Sequence, residues 1–299
     1  MAIDQPMAAS LRSIRRFVIG CVGLGLLGSH LASADSLTTE HPFPGVLLYS
    51  EVRTNPPQRL FVAEIDLTNP QLRLGVAPGG ADPDGPGPWQ TTLMRPTQIA
   101  MREKFDLVVN GDFFSIRRTN AAGAPGPGFR PTVWSSVSGP AMSAGQLWSP
   151  GTGERPALVV DRAGRVSIRP LQKPGANDWQ IISGNVMLVQ AGKVVKHNNQ
   201  ARHPRTVAGL NQSATKLILL VVDGRKPGVA RGMSYAELAQ EILARGGSEA
   251  LNLDGGGSSV LAVRDPDQNT FRILNQPSDG RERAVANVLG LSVSPRPNP

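Results

Sequence analysis

The sequence predicts an α+β protein: a mixed β-sheet core with a C-terminal β-α-β unit and an N-terminal antiparallel meander. Two observations point there. Short apolar runs bounded by Gly, Pro, Asn and Asp recur along the chain, the pattern of strands separated by turns. One segment, 234–245, instead has helical spacing and both helix-end signals, and it lies between two such runs.

The first element is not part of the fold. Arg12, Arg15 and Arg16 form a basic start, residues 17–27 an apolar stretch, and Ala32-Ser33-Ala34 a small-residue pattern. Together they read as a secretory signal peptide over residues 1–34, cut before Asp35. The apolar stretch is shorter than the roughly 20 residues a spanning helix needs, so no membrane span is expected. The exported chain is expected in the periplasm or outside the cell. The only cysteine, Cys21, lies inside this segment. Disulfides, Cys-zinc sites and cysteine nucleophiles are therefore not expected in the mature chain.

Residues 46–53, 58–66 and 72–77 read as three consecutive strands, the meander. Residues 79–96 are rich in Gly, Pro and Asp and read as a loop; 97–104 suit a short helix and 105–109 a strand. Residues 117–153, rich in Gly, Pro and Ser, read as one long functional or mobile loop. Residues 155–160 and 165–169 form a hairpin through Ala163-Gly164. Next comes a buried strand, 216–222, ending on Asp223. In the helix that follows, Ser234 and Glu237 form a capping box, Leu238, Ile242 and Leu243 share a face, and Gly246 is the stop. Residues 250–253 are the second buried strand, ending on Asp254, and 285–293 the last strand before a 295–299 tail. Residues 35–294 are expected to form a single domain: N-terminal strands over 35–96, then a core over 105–293.

Composition narrows the chemistry. Without residues 1–34 the formal charge falls from +8 to +6, and aromatics are 5% of the chain. The basic balance suits an anionic polymer or a phosphorylated substrate, whereas scarce aromatics argue against stacking of nucleic-acid bases. The mature chain holds only His41, His197 and His203, and it lacks the G-x-S-x-G, H-E-x-x-H and G-x-x-x-x-G-K-[ST] motifs. His41 and His197 read as surface or packing residues. Carboxylates, arginines, asparagines and backbone amides remain, a set suited to glycosyl or phosphoryl-ester hydrolysis.

The run Asn252-Leu253-Asp254-Gly255-Gly256-Gly257-Ser258-Ser259 puts a carboxylate, successive glycine amides and two hydroxyls at a strand end. Successive amides in such a turn can cradle an anion, and three glycines exceed what a two-residue hairpin turn requires. Four further segments stand out: Asn110-Gly111-Asp112-Phe113-Phe114, Arg202-His203-Pro204-Arg205-Thr206, Asp223-Gly224-Arg225 and Gly280-Arg281-Glu282-Arg283. Each alone also suits a plain turn or a solvated charged loop.

In this order, with Ser183-Gly184 between, the motifs resemble the phosphodiester glycosidase family over residues 105–293. Asp112 departs from the small residue that the family pattern leads one to expect there. The resemblance implies hydrolysis of a sugar-1-phosphodiester at the glycosidic C1–O bond, in envelope or exopolysaccharide material, with no cofactor or metal. On that reading Asp254 is the carboxylate facing the oxocarbenium-like sugar, as nucleophile or as base for water, and Glu282 the second choice. Arg205, Arg202 and Arg283, with the amides of Gly255, Gly256 and Gly257, would hold the departing phosphate. Asn110 and Ser258 would orient sugar hydroxyls, and Asp112, Asp223 and Arg225 complete the expected substrate contacts. Two other classes stay open. One is a non-catalytic envelope-polysaccharide-binding or assembly protein. The other is a phosphodiesterase with a metal held by Asp112, Asp223 and Asp254.

Overall fold

A computed structural model describes residues 36–119, 126, 128–265 and 268–294. The expected signal peptide and the tail lie outside the described residues. The protein is mostly β, and every strand pairing among the described residues is antiparallel. The expected mixed sheet is thereby corrected.

The largest sheet has eight strands, in the spatial order Ser36–Phe43, Val46–Thr54, Pro57–Asp66, Lys216–Val222, Arg205–Asn211, Gly247–Asn252, Val186–Gln190 and Lys193–Val194. A five-stranded sheet holds Thr270–Ile273, Leu261–Asp265, Leu107–Asn110, Asn287–Val293 and Leu72–Pro78. A second contains the predicted hairpin, Arg155–Asp161 with Val166–Leu171, beside Asp178–Ser183, Pro140–Ser143 and Gln146–Pro150. A small sheet joins Thr91–Thr92, Trp134–Val137 and Phe114–Ile116.

Burial on two faces explains the continuous apolar strands. Along Lys216–Val222, Leu217, Leu219 and Val221 point into a central core shared with both five-stranded sheets. Ile218, Leu220 and Val222 point the other way, into a second cluster capped by helix α2, Tyr235–Ala244. Alternating side chains therefore both find apolar partners, and no polar face is left to mark the strand period. Both halves of the predicted capping box on α2 are present: Glu237 N donates to Ser234 Oγ at 3.4 Å, and Ser234 N donates to Glu237 Oε2 at 2.8 Å. The helix links Lys216–Val222 to Gly247–Asn252. Both strands are antiparallel to Arg205–Asn211 between them, so the β-α-β unit exists with one strand interposed.

Two further expectations are corrected. Residues 72–78 do not complete the meander; they pair with Asn287–Val293 in another sheet, and Ser36–Phe43 takes the third place beside Val46–Thr54. Residues 117–153 are not one loop, since three strands lie within 134–150. Helix α1, Pro96–Glu103, starts with Pro at its first turn and ends at Lys104 with φ 59°. Among the described residues no helix is long and apolar enough to cross a membrane.

Candidate active site

The site forms where the chain passes from the large sheet into the neighbouring one. Arg205 is in register with Val222, and Val207 with Asn252. Hence the starts and ends of three adjacent strands meet at one sheet edge. From Asn252 the chain crosses toward Leu261–Asp265, pinned at each step. Leu253 N donates to Thr206 O (2.9 Å), Asp254 N to Gly111 O (2.9 Å) and Gly256 N to Pro204 O (2.9 Å).

Asn110 holds this crossing from below. Its Nδ2 donates to Asp254 O at 2.7 Å, and its Oδ1 accepts from Thr206 Oγ1 (2.7 Å) and Val260 N (3.1 Å). The side chain is fully buried. Asn110 therefore positions Asp254 rather than a sugar hydroxyl, a correction of its expected role.

The three glycines each admit one neighbour. A Cβ at Gly255 would stand 2.7 Å from Pro204 O. One at Gly256, where φ is 63°, would stand 3.0 Å from Arg225 Nη1, and one at Gly257 would overlap the Arg283–Asp279 pair. Close approach is what glycine permits here. The amide cradle is largely committed elsewhere: Gly255 N donates to Asp254 Oδ1 at 2.8 Å, and Gly256 N to Pro204 O. Of the three amides expected to hold the phosphate, those of Gly255 and Gly256 are thus engaged within the protein.

Asp254 sits at the centre, half-buried. Burial raises its pKa to about 6, while Ser258, the Gly255 amide, Arg283 and Arg225 pull it down. The Ser258 hydroxyl lies near enough to act on the carboxyl but outside hydrogen-bond geometry. No salt bridge reaches Asp254 among the described residues. The carboxylate is surrounded by guanidinium groups that perturb it without being locked to it, which leaves it available for chemistry.

Its partner carboxylate is Asp112. This side chain is 1% exposed. Oδ2 accepts from Gly139 N at 3.0 Å, whereas Oδ1 is buried without a partner. Burial holds the Asp112 pKa well above the usual carboxylate range, and the negative charge of Asp254 adds to it. Two coupled carboxyls with pKa values pushed upward are the arrangement from which acid and base roles are drawn. Glu282, the expected second carboxylate, is elsewhere. It accepts from Thr97 N (2.6 Å) and Thr97 Oγ1 (2.8 Å) and so caps α1, whose own N-cap position is Arg95. The structure thus gives Glu282 a capping role at the start of α1.

The cations divide in the same way. Arg205 is buried against the site: Nη2 donates to Ala201 O (3.1 Å), and the guanidinium lies 4.4 Å over the Tyr235 ring. Tyr235 is fixed by Asn185 Nδ2 on its hydroxyl (2.9 Å), and Asn185 in turn accepts from Asn252 Nδ2 (2.9 Å). Arg225 is exposed, with its guanidinium resting on Gly256 and φ at 60°. Arg283 is held by Asp279 at 2.7 Å and stacks 4.3 Å from the Phe129 ring. Arg202 is paired with Glu237 at 2.7 Å on the surface. Asp223 lies apart. Its oxygens accept from Gln276 N at 3.0 and 3.1 Å and from Asn275 Nδ2 at 3.3 Å, which fixes the 275–276 segment. Asp112, Asp223 and Asp254 do not group as metal ligands among the described residues.

Sequence reasoning did not single out Tyr235 or Asn185, which hold Arg205 in place, nor assign to Thr206 its hold on Asn110. Nor did it assign a role to His203, whose pKa is lowered by burial and by Arg205 and Arg225. Its place between two arginines in the Arg-His-Pro-Arg motif was the available signal.

A perturbed carboxylate and its neighbouring guanidiniums thus gather where the chain crosses between two antiparallel sheets. The chain belongs to the phosphodiester glycosidase family, whose sequence signature matches residues 103–292. The fold resembles the catalytic domain of zebrafish N-acetylglucosamine-1-phosphodiester α-N-acetylglucosaminidase, auto-inhibited by its pro-peptide. That match has a TM-score of 0.60 and 19% identity, over 89% of this chain and 86% of that one. A hypothetical protein from Synechocystis matches with a TM-score of 0.51 and 16% identity, over 88% and 64% of the two chains. At these identities the likeness concerns the fold. The SPbeta prophage-derived uncharacterized protein YomE of Bacillus subtilis (strain 168) is 36% identical over 91 residues, 30% of this chain and 13% of that protein's length.

Proposed function

We propose that this protein is an exported hydrolase that cleaves the glycosidic C1–O bond of sugar-1-phosphodiesters in envelope or exopolysaccharide material. The observation that carries this is Asp254: a carboxylate with a pKa near 6, beside Arg205 and Arg225 and coupled to Asp112. A phosphomonoester is a good leaving group, so its charge matters more than its protonation. Arg205 and Arg225 supply positive charge, and ionised Asp254 faces the developing oxocarbenium as nucleophile or as base for water. Burial holds the Asp112 carboxyl well above the usual carboxylate range, and the charge of Asp254 pushes it the same way. The pairing of two carboxyls favours an enzyme over a binding protein, because an anion-binding site gains nothing from them.

The name of the zebrafish relative makes N-acetylglucosamine the first sugar to test. Incubating its 1-phosphate methyl ester with the protein in ¹⁸O-water should place label in the sugar. Label in phosphate would mean P–O cleavage and would reject the proposal. Activity abolished by chelation and restored by a divalent cation would favour a metal phosphodiesterase.

A further inference from the structure

Next to the site lies an open, solvent-facing cavity of about 480 Å³ lined by Arg202, Arg225, Lys226, Pro227, Ala230 and Arg231. Its volume falls in the range of small-molecule sites. Four of its six lining side chains are cationic. Arg202 is neutralised by Glu237 at 2.7 Å. Among the described residues no carboxylate comes within ion-pair distance of Arg225, Lys226 or Arg231; Lys226 Nζ donates to the neutral Gln276 Oε1 at 3.1 Å. The acids that face this wall are few. Glu237 is held by Arg202, Asp223 lies beneath Lys226 with its oxygens on Gln276 and Asn275, and Asp254 lies beyond Arg225.

The cations sit on a fixed turn. Lys226 N donates to Ala230 O (3.1 Å), Ala230 N to Lys226 O (2.9 Å) and Arg231 N to Pro57 O (3.1 Å). Three unpaired like charges held around one concavity repel each other and attract anions. Arg225 connects this cavity to the chemistry, since its guanidinium rests on Gly256 and its charge lowers the Asp254 pKa. An anion bound in the cavity therefore shares Arg225 with the carboxylate of Asp254.

We infer that the leaving group of the natural substrate carries a second phosphate ester, which this cavity binds. The inference rests on the C1–O reading above and names the class of its aglycone. Lys226 and Arg231 act on the second phosphate alone. A simple phosphodiester has nothing to place there.

The test compares two substrates of one sugar: its 1-phosphate methyl ester, and its 1-phosphate joined through glycerol to a terminal phosphate. Wild type should favour the second in kcat/KM by about tenfold, the low end for charge-assisted contacts at a solvated site. In Lys226→Gln/Arg231→Gln that preference should fall to about one, with methyl-ester hydrolysis unchanged. Calorimetry with propane-1,3-diol bisphosphate and with inorganic phosphate gives an arm independent of turnover. The bisphosphate should bind wild type about tenfold more tightly than phosphate, and the double variant should lose that margin. No preference in the wild type, or a preference the folded variant keeps, overturns the inference, and the wild-type arm decides even where the variant does not fold. Loss of methyl-ester turnover in the wild type would instead reject the C1–O reading, leaving the bisphosphate measurement to decide the cavity.

Discussion

Asp254 and Glu282 are both carboxylates in loops beside strands, yet their surroundings assign them opposite work. Asp254 keeps one intramolecular hydrogen bond, from the Gly255 amide, whereas both oxygens of Glu282 are held by Thr97. Asp254→Asn retains an oxygen for the Gly255 amide and is nearly isosteric, so the fold should survive. Turnover should fall at least about 10²-fold, the scale of a lost acid–base or nucleophilic group. Circular dichroism and steady-state kinetics on one preparation check this; near-wild-type turnover would sink the assignment. In the wild type, kcat/KM should rise with pH through about 6 as Asp254 ionises. Arg205 gives a second residue-level test. Arg205→Lys keeps the charge but loses the planar group that stacks on Tyr235 and reaches Ala201 O. The loss on a sugar-1-phosphodiester should be on the order of 1.5–3 kcal/mol, and much smaller on a neutral aryl glycoside of the same sugar. Equal losses on both would mean that Arg205 supports the fold or the sugar instead.

At the scale of elements, α1 depends on a residue 185 positions away. Its N-cap residue, Arg95, makes no side-chain cap, and Glu282 supplies one from the loop before the last strand. Glu282→Ala should cost about 1–2 kcal/mol of stability, the range for a lost cap, while turnover at low temperature stays near wild type. Chemical denaturation and kinetics separate the two outcomes; a folded variant with turnover down a hundredfold would return Glu282 to the chemistry. The same distance explains what could be read from the sequence. Helix α2 was legible because its capping box is local, and Lys216–Val222 because burial on both faces makes it continuously apolar. The partner of Leu72–Pro78 was not, because Asn287–Val293 lies more than 200 residues on and leaves no local mark. Arg205–Asn211 hid inside a polar motif, and the strands within 134–150 hid behind Gly, Pro and Ser. In the site, Asp254 and Arg205 were legible from their motifs. The exchange of Glu282 for Asp112 was not, since only the folded crossing puts Asp112 beside Asp254.

For the whole molecule, the site should be bought with stability, and pH exposes the trade. Asp254 has a folded pKa of about 6 against an ordinary value of 3.8, so the native state binds its proton more tightly than the unfolded chain does. Its contribution is therefore most favourable at low pH, and it declines as pH rises from about 4 through about 6. Asp112, Asp223 and Glu282 are raised mainly by burial and act with the same sign. Against the upward push of burial, hydrogen bonds from Arg53 and the charge of Arg245 hold Glu241 low; Arg202 and Ser234 do the same for Glu237. That stability is present above the ordinary carboxylate range and lost only as pH falls through the lower folded values, a separate window. His203 opposes Asp254 as pH rises toward its ordinary value of 6.5, because its depressed pKa favours folding as it deprotonates. Comparing wild type with Asp254→Asn cancels His203, Asp223, Glu282, Glu237 and Glu241, while Asp112, whose pKa the Asp254 charge raises, adds to the difference with the same sign. The variant should gain stability relative to wild type as pH rises from about 4 to 7, with the gain levelling off above that, as expected where a functional site holds a buried charge. Urea midpoints of both proteins across that range measure it. A difference independent of pH would mean that Asp254 ionises in the native state as freely as in the unfolded chain, and the poised carboxylate on which the mechanism rests would be lost.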